Sequence, residues 1–339
     1  MIHGDAAGRT LLILNILREQ SDAEHIISMP DLIAELAEKG IAADRRTIYL
    51  SMDALRRNGW DIRFTRRQGQ GYYLNRQFQP AEIMVLTDAV QNSPAISRDQ
   101  TDRLSAQLKT LLSAEQQKLL PVPAAAEGKT DNPNVIRYIE ILLEAAAGHH
   151  PVEFRYYDVS VNRQKAYRRS RRSYHLLPCA VMSSQGRYYG IFHDRKHRDF
   201  AAYRIDKMEH LQMLEDTEEP VYFDMEAWKR TSFDMYHGDA VTVTAVFDRS
   251  LSNVLFDRFG QDIIISNVTD TDFTASLRTA VTPTLTAWFL QFYDRITILR
   301  PAGLIAALQD IAASINKTYG ERRNEHGSEK TGTAAENHR

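Results

Sequence analysis

The chain has 339 residues, of which 43% are hydrophobic and 25% charged, and its formal net charge at pH 7 is −2. This length allows two or three domains, each with its own core, and the composition is ordinary for a globular protein. No apolar run approaches the length of a membrane span and the first residues lack the pattern of a secretory signal, so we expect a cytoplasmic protein with no membrane contact. The single cysteine, Cys179, excludes an internal disulfide framework and a cysteine-based zinc cluster.

Two stretches are strongly basic although the whole chain is close to neutral. Residues 44–76 contain eight arginines against three aspartates, and residues 159–193 contain seven basic residues with no aspartate or glutamate. Such clusters are typical of surfaces that face a polyanion. We therefore expect two polyanion-binding surfaces, although any single arginine in them can equally be a solvated surface charge.

The N-terminal residues predict three helices followed by a β-hairpin. Residues 9–18 are apolar enough for a buried helix, and Ser28 and Asp44 are placed to cap a second and a third helix. Residues 60–74 then contain two short apolar runs joined by a basic turn. This order of elements is the plan of a winged helix-turn-helix.

The third predicted helix has a core face and a basic face. At 100° per residue, Ile48, Met52 and Leu55 share an inward stripe. Arg46 and Leu50 point the other way. A helix of this width fits the major groove of duplex DNA, where arginine can bond a guanine edge bidentately, while arginines at the hairpin tip would reach phosphate or the minor groove. The predicted DNA-binding residues are Arg45, Arg46, Thr47, Tyr49, Leu50, Arg66 and Arg67.

Residues 80–120 predict linker helices. The leucines of the second helical run, Leu104, Leu108, Leu111 and Leu112, recur at helical spacing. These helices can pack between domains or against a second copy, and we expect a homodimer because DNA-binding modules of this kind commonly act on paired half-sites. The segment 121–133 has the composition of a flexible joint.

Short strands with tight turns dominate the middle of the chain. Residues 175–181 and 187–192 flank a Ser-Ser-Gln-Gly turn and predict a hairpin, and a third strand follows at 200–205. These strands favour a small barrel or a strongly bent sheet. Residues 241–319 then predict the order β-α-β-β-α-β of a compact α+β unit. The last 19 residues, 321–339, lack periodicity and are expected to be disordered.

The central stretch resembles the WYL domain, a small Sm-like or SH3-like β-barrel of bacterial transcriptional regulators. The resemblance is carried by the order and spacing of Pro178, Gly186, Tyr188, Tyr189, Arg204 and Asp206. The signature tripeptide is Tyr188-Tyr189-Gly190 in place of Trp-Tyr-Leu. Residues 44–74 are similar to the winged helix-turn-helix modules that precede WYL domains, and the C-terminal unit resembles the extension, WCX-like, that follows many of them.

The expected fold class is multidomain α+β: a winged helix-turn-helix, then an Sm/SH3-like β-barrel (WYL), then a small α+β C-terminal domain. The expected boundaries are 1–78 for the DNA-binding domain, 79–132 for the helical linker, 133–220 for the WYL effector-sensing domain, 221–320 for the C-terminal dimerisation or coupling domain and 321–339 for the tail.

The resemblance implies that a basic and aromatic surface of the WYL domain binds an effector, often a nucleic acid or a nucleotide. By position, the implied effector-binding residues are Tyr188, Arg187, His193, Arg204, Arg168 and Arg171. Tyrosine faces stack on bases and arginine forks fit phosphates. Two alternatives stay open. Arg204 can instead pair with Asp206, and Tyr188 and Tyr189 cannot both line one surface because adjacent strand residues face opposite ways.

No motif of an enzyme or of a metal site is expected to be functional. His193 and His197 have the spacing of a helical metal pair, but the basic residues around them would repel a cation, so we expect no metal. Gly69-Gln70-Gly71 lies in a hairpin and lacks the third glycine of a dinucleotide loop. No Walker-type lysine loop, nucleophile elbow or carboxylate pair is present, and we expect no cofactor and no catalysis.

The expected function is a DNA-binding transcriptional regulator. It would bind an inverted-repeat operator as a homodimer, under the control of a nucleic acid or nucleotide-like effector at the WYL domain. The alternative is an RNA or single-stranded nucleic acid binding protein that acts mainly through the barrel.

Overall fold

The computed structural model describes residues 6–67, 69–121, 127–195, 199–233, 236–237, 240–261 and 263–329. Four sequence predictions lie partly outside these residues. They concern the hairpin turn at Gln68, the joint at 122–126, the histidine pair through His197 and the tail from 330 onward.

The N-terminal unit consists of three helices and a two-stranded hairpin. Its elements are α1 (Ala6–Gln20), α2 (Met29–Glu38), α3 (Arg45–Arg57), β1 (Ile62–Thr65) and β2 (Gly71–Leu74). Both caps lie where the sequence predicts them, since the Ser28 hydroxyl accepts from Asp31 N and the Asp44 carboxylate accepts from Thr47 N. The apolar faces of the helices and the hairpin close on one core.

The hairpin is joined to the helices by a close approach of two backbones. Ile27 N donates to Tyr72 O at 2.9 Å and Tyr72 N donates to Ile27 O at 2.8 Å, which forms an antiparallel bridge. A Cβ at Gly71 would lie 2.8 Å from Ile27 O. This position therefore requires glycine, and the bridge holds the hairpin beside the helices.

The linker contains three helices rather than the two predicted runs. They are α4 (Pro80–Asn92), α5 (Arg98–Lys109) and α6 (Ala114–Lys118). The prediction of one continuous second run was wrong because the Ser113 hydroxyl accepts from Gln116 N and starts a new helix. Leu111 and Leu112 lie in the turn between α5 and α6, where Leu112 is buried and Leu111 is exposed.

The central unit is a curled antiparallel sheet with one helix packed against it. Its elements are α7 (Val135–Gly148), β3 (Val152–Val159), β4 (Lys165–Tyr167), β5 (Tyr174–Ser184), β6 (Arg187–Asp194), β7 (Asp199–Arg204) and β8 (Met208–Met213). The strand order is β4-β3-β5-β6-β7, with β8 paired to β3. Within the described residues no pairing joins β7 to β8, so the sheet is an open half-barrel. Of the two expected forms, a small barrel or a strongly bent sheet, the structure has the bent sheet. A register shift in β5 between Pro178 and Ala180 bends the strand.

The C-terminal unit has the β-α-β-β-α-β order that the sequence predicts. A connector leads to it through α8 (Met225–Thr231), β9 (Ser232–Phe233) and β10 (Tyr236–His237). The unit itself is β11 (Ala240–Asp248), α9 (Ser252–Phe259), β12 (Ile264–Ser266), β13 (Asp272–Ala280), α10 (Pro283–Leu290), β14 (Ile296–Arg300) and α11 (Ala302–Glu329), with sheet order β12-β13-β11-β14. Helix α11 continues to Glu329, so the segment 321–329 is helical where disorder was expected.

Candidate nucleic-acid interface

Helix α3 presents one face to the core and the other to solvent. Ile48 and Met52 are fully buried, whereas Leu50 is 62% exposed. Arg45 and Arg46 lie on the exposed side of the first turn. Hydrogen bonds from Thr47, first from its side chain and then from its amide, lower the pKa of the capping Asp44 carboxyl. The cap therefore stays ionised near neutral pH and holds the first turn, with its arginines, in helical form.

The arginines of the N-terminal basic patch fall into two classes. Arg56 and Arg63 pair with Asp53 and Asp61 at 3.1 and 2.8 Å. Arg76 is partly buried and donates to main-chain carbonyls. The remaining members are exposed and form no ion pair within the part of the chain that the structure describes; they are Arg45, Arg46, Arg57, Arg66 and Arg67. The unpaired positive charge is thus concentrated on α3 and on the hairpin tip.

Tyr49 extends this surface but is partly held by the hairpin. Its ring centroid lies 6.3 Å from that of Tyr72 in an edge-on contact, and 44% of the Tyr49 side chain is exposed. Burial, followed by the hydrogen bond with Tyr49, raises the pKa of Tyr72 to about 12. Tyr72 is therefore uncharged at neutral pH and positions Tyr49 beside the exposed face of α3.

A buried polar cluster fixes the N-terminal unit to the linker. Asp22 is 1% exposed and accepts from the Ser113 hydroxyl at the start of α6 and from the amides of Glu24 and His25. Arg76 donates to Ser21 O at 2.7 Å and approaches Leu111 O at 3.4 Å. The orientation of α3 relative to the linker thus depends on these contacts.

A cavity of about 830 Å³ opens on the central sheet and is predominantly basic. Its charged or titratable lining consists of Arg169, Arg172, Arg195, His175, His193, Asp194 and Glu218. Leu176 and Leu177 supply apolar wall. The Nδ1 atom of His193 is buried without a hydrogen-bond partner among the described residues. An anion with an apolar portion fits this combination of arginine forks, imidazoles and aliphatic surface.

The loop 168–171 decides which arginines enter the cavity. Arg169, Ser170 and Arg171 have φ angles of 50°, 51° and 68°, all in the left-handed region. Arg168 pairs with Asp158 through two hydrogen bonds of 2.7 and 3.2 Å and lies over a tyrosine ring. Arg171 likewise lies over a ring, with its guanidinium carbon 5.2 Å from the centroid of Tyr167. Arg168 and Arg171 therefore anchor the loop, while their neighbours Arg169 and Arg172 line the cavity.

Arg187 and Arg204 meet on one buried carboxylate instead of lining the cavity. Asp206 is 5% exposed and accepts from Arg204 Nε and Nη2 at 3.0 and 2.6 Å and from Arg187 Nη1 at 2.9 Å. Arg187 also donates to Pro94 O at 2.8 Å and Gly128 O at 3.2 Å. The alternative pairing of Arg204 with Asp206 is the one that the structure has. The cluster joins the sheet to the linker.

His193 alone among the six predicted effector residues lines the cavity. Tyr188 packs against the core of the central unit. Arg169 and Arg172 belong to the basic stretch identified in the sequence, but no local signal separates them from Arg168 and Arg171. Arg195 and Glu218 were missed because a strand turn and the distant connector bring them together.

Within the described ranges, no group of three or more His, Cys, Asp or Glu side chains is arranged to hold a metal ion. No helix in those ranges has both the length and the apolar character needed to cross a membrane.

Family models match the central and C-terminal units separately. The model of the WYL domain matches residues 137–213. The chain therefore contains a WYL domain. The model of the WCX domain matches residues 239–315, so a WCX domain follows the WYL domain. The basic cavity wall from Arg169 to Arg195 lies within the WYL domain, and the connector that carries Glu218 lies between the two matched segments.

Two solved structures are distantly similar to this WYL-domain protein. Proteasome accessory factor B/C (PafBC) of Arthrobacter aurescens is 16% identical, with a TM-score of 0.26 over 89% of this chain and 46% of that one. The present chain thus spans less than half the length of that protein. A CRISPR Cas-related protein is 12% identical, with a TM-score of 0.34 over 86% and 78% of the two chains. At these TM-scores neither match establishes a common fold. No curated protein matches the sequence.

Proposed function

We propose that this WYL-domain protein is a DNA-binding transcriptional regulator whose activity is set by an anionic effector. The N-terminal unit acts as a winged helix-turn-helix on duplex DNA, the cavity of the WYL domain takes the effector, and two copies bind an inverted repeat. The activity is binding without catalysis. The observation that carries the proposal is the exposed basic face of α3 beside a basic hairpin tip.

The geometry of the N-terminal unit supports duplex binding. Arg45, Arg46 and Leu50 project from the side of α3 opposite to its buried stripe, and none of the three is covered by the rest of the described chain. A helix inserted in the major groove would bring these side chains to base edges. Arg66 and Arg67 at the hairpin tip would then contact the backbone or the minor groove. Phosphate contacts supply affinity and α3 supplies sequence preference.

The cavity supports a phosphate-bearing effector of nucleotide or short oligonucleotide size. Three guanidinium groups converge on a space of about 830 Å³, which lies within the usual range for small-molecule sites. Arg169 lies over the buried Tyr174 ring, with its guanidinium carbon 4.1 Å from the centroid, so the ring holds this guanidinium in place at the cavity wall. Guanidinium forks bind phosphate oxygens. Effector binding by Tyr188, Arg187 or Arg204 remains a prediction.

The contacts between units support transmission from the cavity to the DNA-binding surface. The Asp206 cluster ties the WYL sheet to the linker, and the Asp22 cluster ties the linker to the N-terminal unit. An effector that favours one arrangement of these units would alter the spacing of the two α3 helices in a dimer. DNA and effector would then change each other's affinity by the same factor.

Selection of duplex DNA from a random pool tests the proposal. We expect the full chain to enrich an inverted repeat, and Arg46→Ala to lose or relax that preference at a cost of about 1–3 kcal/mol. Arg63→Ala is the matched control, because Arg63 carries the same charge in the same unit but is paired with Asp61. The selection is repeated at a second salt concentration to separate phosphate contacts from base contacts.

Salt-sensitive binding without any enriched sequence would contradict the proposed operator recognition. The alternative, a single-strand or RNA binding protein acting through the WYL domain, would gain support if single-strand binding survived deletion of residues 1–76.

A further inference from the structure

The cavity of the WYL domain contains a carboxylate that the connector to the WCX domain supplies. Glu218 Oε2 lies 3.0 Å from Arg195 Nε, and only 22% of the Glu218 side chain is exposed. Arg195 is one of three cavity arginines, and it pairs with Glu218 there. A carboxylate therefore occupies a position that a phosphate oxygen of an incoming ligand would take on the same guanidinium.

The backbone around Glu218 is held at the end of α7. Glu218 N donates to His149 O at 2.9 Å, and the His150 ring Nδ1 lies 2.9 Å from Asp216 O. A carbonyl only accepts, so Nδ1 of His150 carries the proton in this contact. Leu214 N also donates to Pro151 O at 2.9 Å. The connector thus leaves β8 along a defined path, and this path delivers the Glu218 side chain into the cavity.

Beyond Glu218 the connector forms an aromatic cluster that reaches the WCX domain. The Phe223 ring lies 4.9 Å from that of Phe200 and 5.6 Å from that of Trp228, between centroids. Phe200 also contacts the ring of the cavity residue His193 at 5.5 Å. Trp228 is 4% exposed and belongs to α8, which packs against β13 of the WCX sheet. The same connector therefore touches the cavity at one end and the WCX domain at the other.

We infer that Glu218 is a tethered competitor of the effector. In the empty protein its carboxylate pairs with Arg195, and a phosphate-bearing ligand displaces it and releases the connector that leads to the WCX domain. The inference rests on the proposed effector role of the cavity and adds how binding there is converted into a change outside it. No covalent step is involved.

The ion pair between Glu218 and Arg195 is weak enough for a ligand to displace it. Arg195 is 58% exposed, and ion pairs at such positions are weak because water and salt screen them. A phosphate group carries more charge than a carboxylate and makes additional hydrogen bonds to Arg169 and Arg172, which the single Glu218 side chain leaves available. The phosphate-bearing ligand therefore interacts more favourably with the cavity than the Glu218 carboxylate does. Competition from Glu218 lowers the apparent affinity of the ligand.

Two isosteric variants of the full chain test the inference. Glu218→Gln removes the competing charge, and Glu219→Gln removes the same charge from the adjacent exposed residue, which does not line the cavity. Inorganic pyrophosphate serves as the probe, with its affinity measured by isothermal titration calorimetry at low ionic strength. We expect Glu218→Gln to bind on the order of fivefold more tightly than the native chain, and Glu219→Gln to bind like it.

Cleavage by chymotrypsin after Tyr222, which is 85% exposed in the connector, supplies a second measurement. In the native chain pyrophosphate should accelerate this cleavage. Glu218→Gln should be cleaved faster even without the probe, whereas Glu219→Gln should match the native chain. The ligand-free comparison tests the tether independently of any bound anion.

The outcomes separate this inference from the proposed function. Equal pyrophosphate affinity and equal cleavage in the two variants would overturn the competitor role while leaving the cavity as an anion site. Failure of pyrophosphate to bind even to Glu218→Gln would overturn both the competitor role and the proposed effector site. Sequence-specific DNA binding by the N-terminal unit would be unaffected by either result.

Discussion

Replacing Asp206 by asparagine should destabilise the WYL domain more than any comparable change of a surface carboxylate. The side chain is 5% exposed and accepts three hydrogen bonds, two from Arg204 and one from Arg187. Asp206→Asn keeps the volume but removes the charge and replaces one acceptor oxygen by a donor amide. Two guanidinium groups would then face each other without a counterion.

The expected loss follows from these contacts. Hydrogen bonds to charged groups contribute about 1.5–3 kcal/mol each, and breaking a buried ion pair costs about 3–5 kcal/mol. The side chains of Arg187 and Arg204 remain 23% and 28% exposed, so both recover some hydration when the carboxylate is lost. We therefore expect a loss at the lower end of that range, about 3 kcal/mol. With a urea dependence of about 2 kcal/mol per molar, the midpoint of the transition would fall by about 1.5 M.

Urea unfolding followed by far-UV circular dichroism measures this change, and Asp158→Asn is the matched control. Asp158 lies in the same domain and also pairs with two cations, Arg168 and Lys207, but its side chain is 41% exposed. Its replacement should cost less than about 1 kcal/mol. Equal midpoint shifts for Asp206→Asn and Asp158→Asn would contradict this prediction, because burial of the carboxylate would then not determine the loss of stability.

Two other perturbations test the packing and the linker contact. Burial opposes ionisation of Asp22, but hydrogen bonds from Ser113, Glu24 and His25 outweigh this effect and lower the pKa of the Asp22 carboxyl below 3.8. The ionised Asp22 therefore stabilises the folded state above pH 3.8, and this contribution is lost as the pH falls through the folded-state pKa. Asp22→Asn should reduce the dependence of the thermal unfolding temperature on pH in the acid range. An unchanged slope of unfolding temperature against pH would contradict this. A Cβ at Gly190 would lie 2.6 Å from the ring of Phe192 and 3.2 Å from Leu142 Cδ1. Gly190→Ala should thus destabilise the chain by about 1–3 kcal/mol, whereas Gly303→Ala, with no atom within 4 Å of the added group, should be neutral or stabilising in thermal unfolding; similar effects of the two would count against the packing argument.

Sequence patterns predicted the elements well where the determining interactions are local. The caps at Ser28 and Asp44, the inward stripe of α3 and the β-α-β-β-α-β order of the WCX region were all confirmed. The break at Ser113 was missed because leucine spacing alone does not reveal a new cap. The strand pattern left a small barrel and a strongly bent sheet open, and the structure has the open, bent form, since closure depends on how strongly the sheet curls.

The effector-binding residues predicted from the sequence stay predictions, but the cavity is lined by a partly different set. The sequence pointed to the basic stretch and to His193, which lines the cavity, and to Arg168 and Arg171, whereas Arg169 and Arg172 line it. Periodicity cannot distinguish between adjacent arginines in a loop, because a loop has no regular repeat of side-chain directions. The directions of these side chains follow from three successive residues, 169–171, with φ in the left-handed region. None of the three is a glycine, so the sequence does not indicate this backbone conformation.

The order of the units, most of their helices and strands, and the basic character of α3 and of the WYL loop follow from the sequence alone. These properties depend on residue spacing, capping and charge within a few positions of the chain. The sharing of Asp206 by Arg187 and Arg204 and the contact of Glu218 with Arg195 are visible only in the packed chain. Both contacts depend on how the sheet curls and on the path of the chain after it, because residues far apart in sequence meet only when those backbones are packed together.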